Sequence, residues 1–292
     1  MKVGVFGSSC QIEKQNLVRR LFEKLSALGA EVYVDQGFYR FLAGGSGYKP
    51  EVRGVLAGDE FDLDMALSVG GDGTFLRTAA RVNRQDIPIL GINTGRLGFL
   101  ADIGSNELEE TLDELFKNYY TVEARTLLRL HTEEGAFGDY NYALNEVAVL
   151  KRDTSSMITI HASIGNDYLA TYQADGLIIA TPTGSTAYSM SVNGPIIAPQ
   201  NNSLVLTPVA PHSLNVRPLV IPDSSVITLE VESRNEIFLV SLDGRSEIFP
   251  AGGQLTISKA DYTTKVIKRR NHTFYQTLRE KLMWGADARI DR

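Results

Sequence analysis

The sequence predicts two architectures in series: an α/β part built on an open, mostly parallel sheet, then a β-rich, sandwich-like part, with a closing helix that returns to the first. Three observations predict it. Over the first hundred positions apolar residues alternate between short continuous runs and helical spacing. Glycine-rich turns close two of those runs. From about residue 120 onward the texture changes to short apolar or alternating runs broken by turn residues. At 292 residues the chain exceeds the usual size of a single core, so two domains are expected: residues 1–106, with 262–292 packing back on them, and residues 107–261.

Taken in order, "KVGVF" (Lys2 to Phe6) reads as a buried strand, and Leu17, Val18, Leu21, Phe22, Leu25 and Leu28 follow at helical spacing. "AEVYVD" (Ala30 to Asp35) is a second strand. Residues 37–58 are glycine-rich with scattered aromatics and no clear period, so Phe38 to Lys49 reads as a mobile, lid-like loop. "MALSV" (Met65 to Val69) is a strand ending in a glycine turn, with Phe75, Leu76, Ala79, Ala80 and Val82 continuing as a helix. "IPILGIN" (Ile87 to Asn93) is a strand that runs into "TGRLGFL". Strands alternating with helices imply a parallel, Rossmann-like sheet whose ligands gather at the C-terminal strand ends, where both glycine turns lie. A capped amphipathic helix from Ser105, with Leu108, Leu112, Leu115, Phe116 and Tyr119 on one face, reads as a connector. Then come "ARTLLRLHT", "NYALNEVAVL", "SMITIHASI", "YLATYQADGLIIAT", "SLVLTPVA", "SVITLEVES", "EIFLVSLDG" and "GQLTISKA", all strand-like. "NHTFYQTLREKLMW" closes the chain as a helix.

Composition narrows the function. Hydrophobic content of 43% and charged content of 22% are ordinary for a globular protein. No apolar stretch approaches the roughly 18 residues of a membrane span, and Met1 leads into "KVGVFG" without a signal-peptide layout. A cytoplasmic protein with no membrane partner is expected. Cys10 is the sole cysteine, which excludes an internal disulfide and a cysteine-cage metal site, and is expected as a small buried or half-buried thiol. A net charge of −6 argues against a nucleic-acid surface. His131, His161, His212 and His272 are scattered, so no metal site is expected from the protein alone. "KVIKRRNH" (Lys265 to His272) is the sole basic cluster and reads as a solvated face or a membrane-facing one.

The chemistry starts at "SVGGDGTFLRT", Ser68 to Thr78. Backbone N–H groups at such a turn and the positive end of the following helix suit a phosphate, with Gly70, Gly71, Gly73, Thr74 and Arg77 as the candidate loop. An aspartate in that loop would repel the phosphate. Asp72 is therefore either a plain helix cap or a group that meets a hydroxyl or metal ion beside the phosphate. "ATPTGSTAYSMSVNGP" (Ala180 to Pro195) is dense in small hydroxyls that suit a nucleotide's polar edges, or that simply bond the local backbone. In "LNEV", Asn145 can offer a donor and an acceptor to a base edge and Glu146 can accept from ribose hydroxyls, or the two are simply a solvent-facing pair on a strand. Asp175 in "QADG" and Arg245 in "LDGR" are further candidates, Arg245 for a phosphate, though both sequences also occur as ordinary turns.

"GGDGTFLRTA", "NTGRLGFLADI", "LNEVAV", "DGLIIATPTGSTAYSMSVNGPI" and "TPVAPHSLNVRPLVIP", in that order from Ser68 to Pro222, resemble the NAD kinase family. "TPTGSTAY" is the most specific block; "GGDG" also occurs in related form in distantly similar lipid and sugar kinases. The resemblance implies transfer of the γ-phosphoryl of ATP, or of polyphosphate, to the adenosine 2′-hydroxyl of NAD, with Mg²⁺ or another divalent cation arriving on the donor. It implies Asp72 as proton acceptor with Gly73 giving close backbone approach, and Asn145 and Glu146 on the adenosine part. It places Asp175 toward the nicotinamide side, and Thr186, Ala187, Tyr188, Ser189, Met190 and Ser191 around adenine and ribose, with Ala210 and Arg245 at the rim. Ser156 and Gln173 stand where some members carry basic residues. The resemblance further implies a homo-oligomer, dimer or tetramer.

Overall fold

The computed structural model describes residues 1–7, 15–45, 48–95, 98–132, 135–152 and 156–286; Cys10 lies outside them. The chain divides into two compact units, Met1–Ala124 with Thr264–Arg292, and Arg125–Thr263.

The first unit runs β1 (Lys2–Gly7), α1 (Gln15–Ala27), β2 (Glu31–Asp35), α2 (Gln36–Gly45), β3 (Gly54–Leu56), β4 (Met65–Gly70), α3 (Asp72–Val82), β5 (Ile89–Asn93) and α4 (Leu108–Phe116). Its strands order β5-β4-β1-β2-β3, every neighbouring pair parallel. Val3, Val5, Leu67, Val69, Leu90 and Ile92 share a core with Leu17, Val18, Leu21 and Leu25 of α1 and Leu108, Leu112 and Leu115 of α4. Strands buried on both faces read as unbroken apolar runs, which is why β4 and β5 were legible. Helix α4 belongs to this unit because its apolar face joins that core and because Glu109 and Asp113 pair with Arg20 and Lys24 of α1. The unit therefore reaches Ala124 and not residue 106.

Three expectations change here. The lid-like loop is a helix over most of its length: Phe38 and Leu42, one helical turn apart, are buried, and Asp35 Oδ2 accepts from the N–H groups of Gly37 (2.9 Å) and Phe38 (3.2 Å) at its start. Its glycines hid the period. Ser105 does not cap α4; Glu107 occupies the N-cap position without a side-chain cap bond. The basic cluster is only partly a solvated face. Its first five residues fall on a strand, where Lys265 meets Asp86, Lys268 meets Asp102, and Arg269 meets Glu107, Glu110 and Glu114, while Arg270 is exposed over the Tyr119 ring.

The chain enters the second unit within β6 (Tyr120–His131) and continues through β7 (Tyr142–Ala143), β8 (Glu146–Leu150), β9 (Ile158–Ile164), β10 (Asp167–Ala174), β11 (Gly176–Ala180), the short α5 (Tyr188–Ser191), β12 (Ser203–Val209), β13 (Leu219–Pro222), β14 (Ile227–Glu232), β15 (Ile237–Leu242) and β16 (Arg245–Pro250). It leaves within β17 (Gln254–Arg269), and α6 (Phe274–Leu282) ends the first unit. One antiparallel sheet orders β13-β12-β11-β8-β15-β16, and a second contains β10-β9-β14-β17. Val147, Val149, Leu177, Ile179, Leu204 and Leu206 of the first meet Ile158, Ile160, Leu229 and Ile257 of the second in one core. The alternate side chains Ala148, Ile178, Ala180 and Val205 bury the opposite face with Ile197. Two runs expected as single strands are broken: "NYALNEVAVL" at Leu144–Asn145 and "YLATYQADGLIIAT" at Asp175, where the chain changes sheet. Both breaks coincide with candidate site residues.

Candidate active site

In the first unit β4 delivers the glycine turn at its C-terminal end, with Gly71 at the N-cap position of α3 and Asp72 its first residue. The Asp72 carboxylate does not cap that helix. It reaches to the segment after β5: Oδ2 accepts from Phe99 N–H (3.0 Å), and Oδ1 from Leu100 (3.1 Å) and Ala101 (3.0 Å). A Cβ at Gly98 would fall 2.0 Å from Asp72 Oδ1, so a glycine is required there. Both carboxylate oxygens are thereby oriented by backbone.

The loop is itself locked. Asn93 N–H donates to Ile103 O (2.8 Å), and Asn93 Nδ2 donates to Ala101 O (3.2 Å). Asp102 is almost fully buried and binds Lys268 Nζ at 2.5 Å with His272 Nδ1 at 3.4 Å. Burial pushes the Asp102 carboxyl up, but the Lys268 charge and the bonds from His272 and Lys268 outweigh it and hold it below the usual range. The bond to Asp102 in turn raises His272 above its ordinary value, against burial. From α6, Lys281 Nζ lies 3.6 Å from Asp72 Oδ2. In the candidate phosphate loop, Thr74 is buried with its N–H given to Gly71 O (2.9 Å), and Arg77 Nη2 donates to Thr74 Oγ1 (3.2 Å).

In the second unit Asn145 and Glu146 are buried at the entry to β8. The turn after β15 holds them: Asp243 accepts from the N–H groups of Leu144 (2.7 Å), Asn145 (2.8 Å) and Glu146 (3.1 Å). Asp243 and Gly244 both have positive φ, 50° and 83°, the backbone of an Asp-Gly hairpin turn. Glu146 Oε2 is buried without a hydrogen-bond partner. Burial, then the neighbouring Asp243 charge, pushes the Glu146 carboxyl up to about 8, opposed by the N–H of Tyr188. Burial raises Asp243 too, but its three amide donors favour its charge. The proton of the pair therefore sits on Glu146. Such an orphaned acid beside a buried amide side chain suits a ligand that brings hydroxyl and amine donors.

The hydroxyl-rich stretch wraps the same strand. Thr181 N–H donates to Asn145 O (2.9 Å) and Thr181 Oγ1 to Leu144 O (2.6 Å). A Cβ at Gly184 would meet Asn145 O at 2.0 Å. Ser185 Oγ donates to Pro182 O (2.7 Å), Thr186 Oγ1 to Thr183 O (3.2 Å), and Ser189 Oγ shares a bond with Thr207 Oγ1 (2.8 Å). These four hydroxyls serve the local backbone and core. Ala187 and Met190 are half-buried, and Tyr188 and Ser191 are exposed. Asp175 pairs with Lys151 Nζ (2.7 Å), and its N–H donates to Val209 O (2.9 Å), next to the exposed Ala210 with φ 44°. Ser156 and Gln173 line one cavity of about 600 Å³ with Thr159, Glu232, Ser233 and Arg234. Arg245 donates to the carbonyls of Tyr140 and Tyr142, both at 2.7 Å, and stacks 4.7 Å over the Tyr140 ring, so its fork is occupied by its own chain.

The profile of the ATP-NAD kinase N-terminal domain matches residues 3–120, and that of the ATP-NAD kinase C-terminal domain matches residues 144–269. The chain belongs to the NAD kinase family. An NAD kinase from Bacteroides fragilis is 54% identical over 290 residues, 99% of this chain and 100% of that one. One from Porphyromonas gingivalis is 46% identical over 288 residues, 99% of each. An Archaeoglobus fulgidus NAD kinase solved with ATP is 27% identical, with a TM-score of 0.77 over 97% of this chain and 99% of that one. A yeast NADH kinase solved with NADH shares the fold, with a TM-score of 0.89 over 100% of this chain and 90% of that one at 21% identity. Like its relatives, this family member is a phosphotransferase acting on NAD.

Sequence reasoning missed three contributors within the NAD kinase fold. Asp243, which fixes the backbone of Asn145 and Glu146, stood in the "LDGR" turn beside the residue that was singled out. The amides of Phe99 to Ala101 carry no side-chain signature at all. Lys281 lies on the terminal helix, where nothing in the local sequence sets it apart from the other charges. Among the described residues no group of three or more His, Cys, Asp and Glu is arranged to hold a metal ion, and no helix is long and apolar enough to cross a membrane.

Proposed function

We propose that the protein transfers the γ-phosphoryl of Mg²⁺-bound ATP to the 2′-hydroxyl of the adenosine ribose of NAD, with Asp72 as the proton acceptor. The observation that carries the reading is the Asp72 carboxylate, fixed by three backbone amides at the C-terminal end of β4. Oδ1 takes two of those amides and Oδ2 one, so Oδ2 keeps the more accessible lone pair. The 2′-oxygen attacks the γ-phosphorus, the bond from that phosphorus to the β,γ-bridging oxygen breaks, ADP leaves, and the hydroxyl proton passes to Asp72 Oδ2. Phosphoryl transfer asks mainly for positioning and charge neutralisation. The amides of the glycine turn and the N-terminal end of α3 supply part of that.

The fit to a divalent cation is indirect. Asp72 is already committed to backbone donors, so a divalent cation would be held by the phosphate donor and not by this carboxylate, and would supply neutralisation of the phosphates' charge. Asn145 and Glu146 bind the adenosine part, supported by their burial and by the unpaired Glu146 Oε2. Tyr188, Ser191 and the half-buried Ala187 and Met190 line the adenine and ribose, and Asp175, Ser156 and Gln173 serve the remainder of the dinucleotide. The enzyme works in the cytoplasm as a dimer or tetramer; exposed Leu219 and Val220 on the edge strand β13 and Ile248 on the edge strand β16 support self-association.

The test is product analysis with Mg²⁺, ATP and either NAD or NADH, repeated with Asp72→Asn. Wild type adds one phosphate to the adenosine ribose. The variant loses at least about 10²-fold in kcat, the scale of general-base catalysis, while NAD still binds. Near-normal turnover by Asp72→Asn would remove Asp72 from the chemistry.

A further inference from the structure

Lys281 stands at the catalytic carboxylate in a way no other lysine of the described chain does. Helix α6 is anchored in the first unit: Thr273 caps it by accepting from Gln276 N–H at 3.2 Å, Thr277 and Leu278 are buried, and the Phe274 ring packs 6.1 Å from Phe99. That anchoring brings Lys281 Nζ to 4.6 Å above the Phe99 ring centroid and 3.6 Å from Asp72 Oδ2. Phe99 is the residue whose N–H orients the same Oδ2.

The distance is informative. Lys24, Lys151, Lys259, Lys265 and Lys268 each bind their carboxylate at 2.5 to 2.7 Å, the length of a charge-assisted hydrogen bond. At 3.6 Å the Lys281 ammonium is attracted to Asp72 without spending a donor on it. The aromatic face of Phe99 holds the cation in place and takes none of its three N–H groups. Among the described residues no acceptor lies within hydrogen-bond distance of Nζ. The side chains of Lys281 and Asp72 remain 29% and 30% exposed, so this is a solvent-reached pair with unspent donors, unlike the buried Lys268–Asp102 bridge beside it.

Resting on the function proposed above, we infer that Lys281 is a catalytic residue that donates to the non-bridging oxygens of the phosphoryl group in transit. The geometry follows from the reaction. A hydroxyl giving its proton to Asp72 Oδ2 places the phosphorus it attacks one bond further on, and a cation beside that Oδ2 faces the phosphorus's oxygens. Lys281 thus offsets the repulsion between the carboxylate and the phosphoryl anion, which the glycine turn alone leaves standing. Charge neutralised where it develops acts on the transition state more than on the bound substrates.

The test is steady-state kinetics on the full-length enzyme carrying Lys281→Met, Lys281→Gln and Lys281→Arg, with Arg279→Met, an exposed charge on the same helix, as control. Lys281→Met and Lys281→Gln lower kcat/KM for ATP by about 10²-fold, the scale of removing one preorganised donor to a developing anion. Their calorimetric affinity for NAD and thermal midpoint stay at the wild-type values. Lys281→Arg recovers about tenfold of the loss, and Arg279→Met leaves turnover unchanged. Wild-type kcat and KM for ATP in Lys281→Met would overturn the assignment and leave the kinase reading intact. A pH–rate profile that is displaced but recovers the wild-type plateau rate would make Lys281 a positioning residue acting through Asp72, and would overturn direct phosphate contact. A wild-type enzyme that makes no NADP from NAD and ATP would remove the kinase reading and this inference together.

Discussion

Replacing Glu146 by glutamine tests the electrostatics of the second unit. Glu146 is only 9% exposed, its Oε2 has no partner, and burial beside Asp243 raises its carboxyl from 4.5 to about 8. At about 1.4 kcal/mol for each factor of ten in proton affinity, ionising this group in the folded protein costs about 5 kcal/mol more than in the unfolded chain. The folded value lies above the unfolded one, so below pH 4.5 the carboxyl is protonated in both states and costs nothing. Between pH 4.5 and about 8 the unfolded chain sheds the proton while the native protein keeps it, and stability falls by ~1.4 kcal/mol per pH unit. Above pH 8 the loss is complete. Glu146→Gln keeps the shape and removes the titration, so the stability of the variant relative to wild type should grow by about 2.5 kcal/mol between pH 5 and pH 7 and by a further ~1 kcal/mol by pH 8. Urea unfolding at pH 5, 6, 7 and 8 and constant ionic strength measures it. A difference that stays flat within about 0.5 kcal/mol would show that Glu146 ionises as it does in water, and would refute the buried, proton-holding carboxyl.

Two further outcomes follow from the packing and the charges. Gly184→Ala drives a Cβ to 2.0 Å from Asn145 O, a backbone atom that cannot yield cheaply; the expected cost is about 1–3 kcal/mol of stability together with weakened NAD binding, read by thermal unfolding and calorimetry. His272 is raised above 6.5 by its bond to Asp102, so its contribution is complete below pH 6.5 and lost as pH climbs through the folded value. His272→Gln should therefore lessen the fall in thermal midpoint expected of the wild type as pH rises above 6.5, and an unaltered fall would assign that titration elsewhere.

Much of the molecule was legible from local pattern. The buried strands β4, β5 and β11 are short unbroken apolar runs, and the glycine turn after β4 announces an anion-favouring strand end whatever surrounds it. The "TPTGSTAY" block stood out because small polar residues are dense there, whereas the NE pair by itself read equally as a solvent-facing strand pair. Helix α2 was hidden because glycines dilute the spacing of Phe38 and Leu42, and "YLATYQADGLIIAT" read as one strand because nothing local marks a change of sheet at Asp175. Of the hydroxyls in that block, Thr181, Ser185 and Thr186 bond the local backbone, and the next one along, Ser189, bonds Thr207 of β12. Side-chain identity does not say which way a serine faces.

What the sequence by itself determined is the order of elements and the residue types at strand ends, because burial on one or both faces imposes a period that neighbouring residues must obey. What only the tertiary structure decided is who meets whom across long separations. Asp72 finds the amides of Phe99 to Ala101, Asn145 and Glu146 find Asp243, and α6 brings Lys281 to the carboxylate. Backbone donors look alike in every residue, and a charge on a helix surface carries no address until packing fixes the helix. Those meetings, which fix the carboxylate of an aspartate in an anion-favouring turn, are properties of the folded chain.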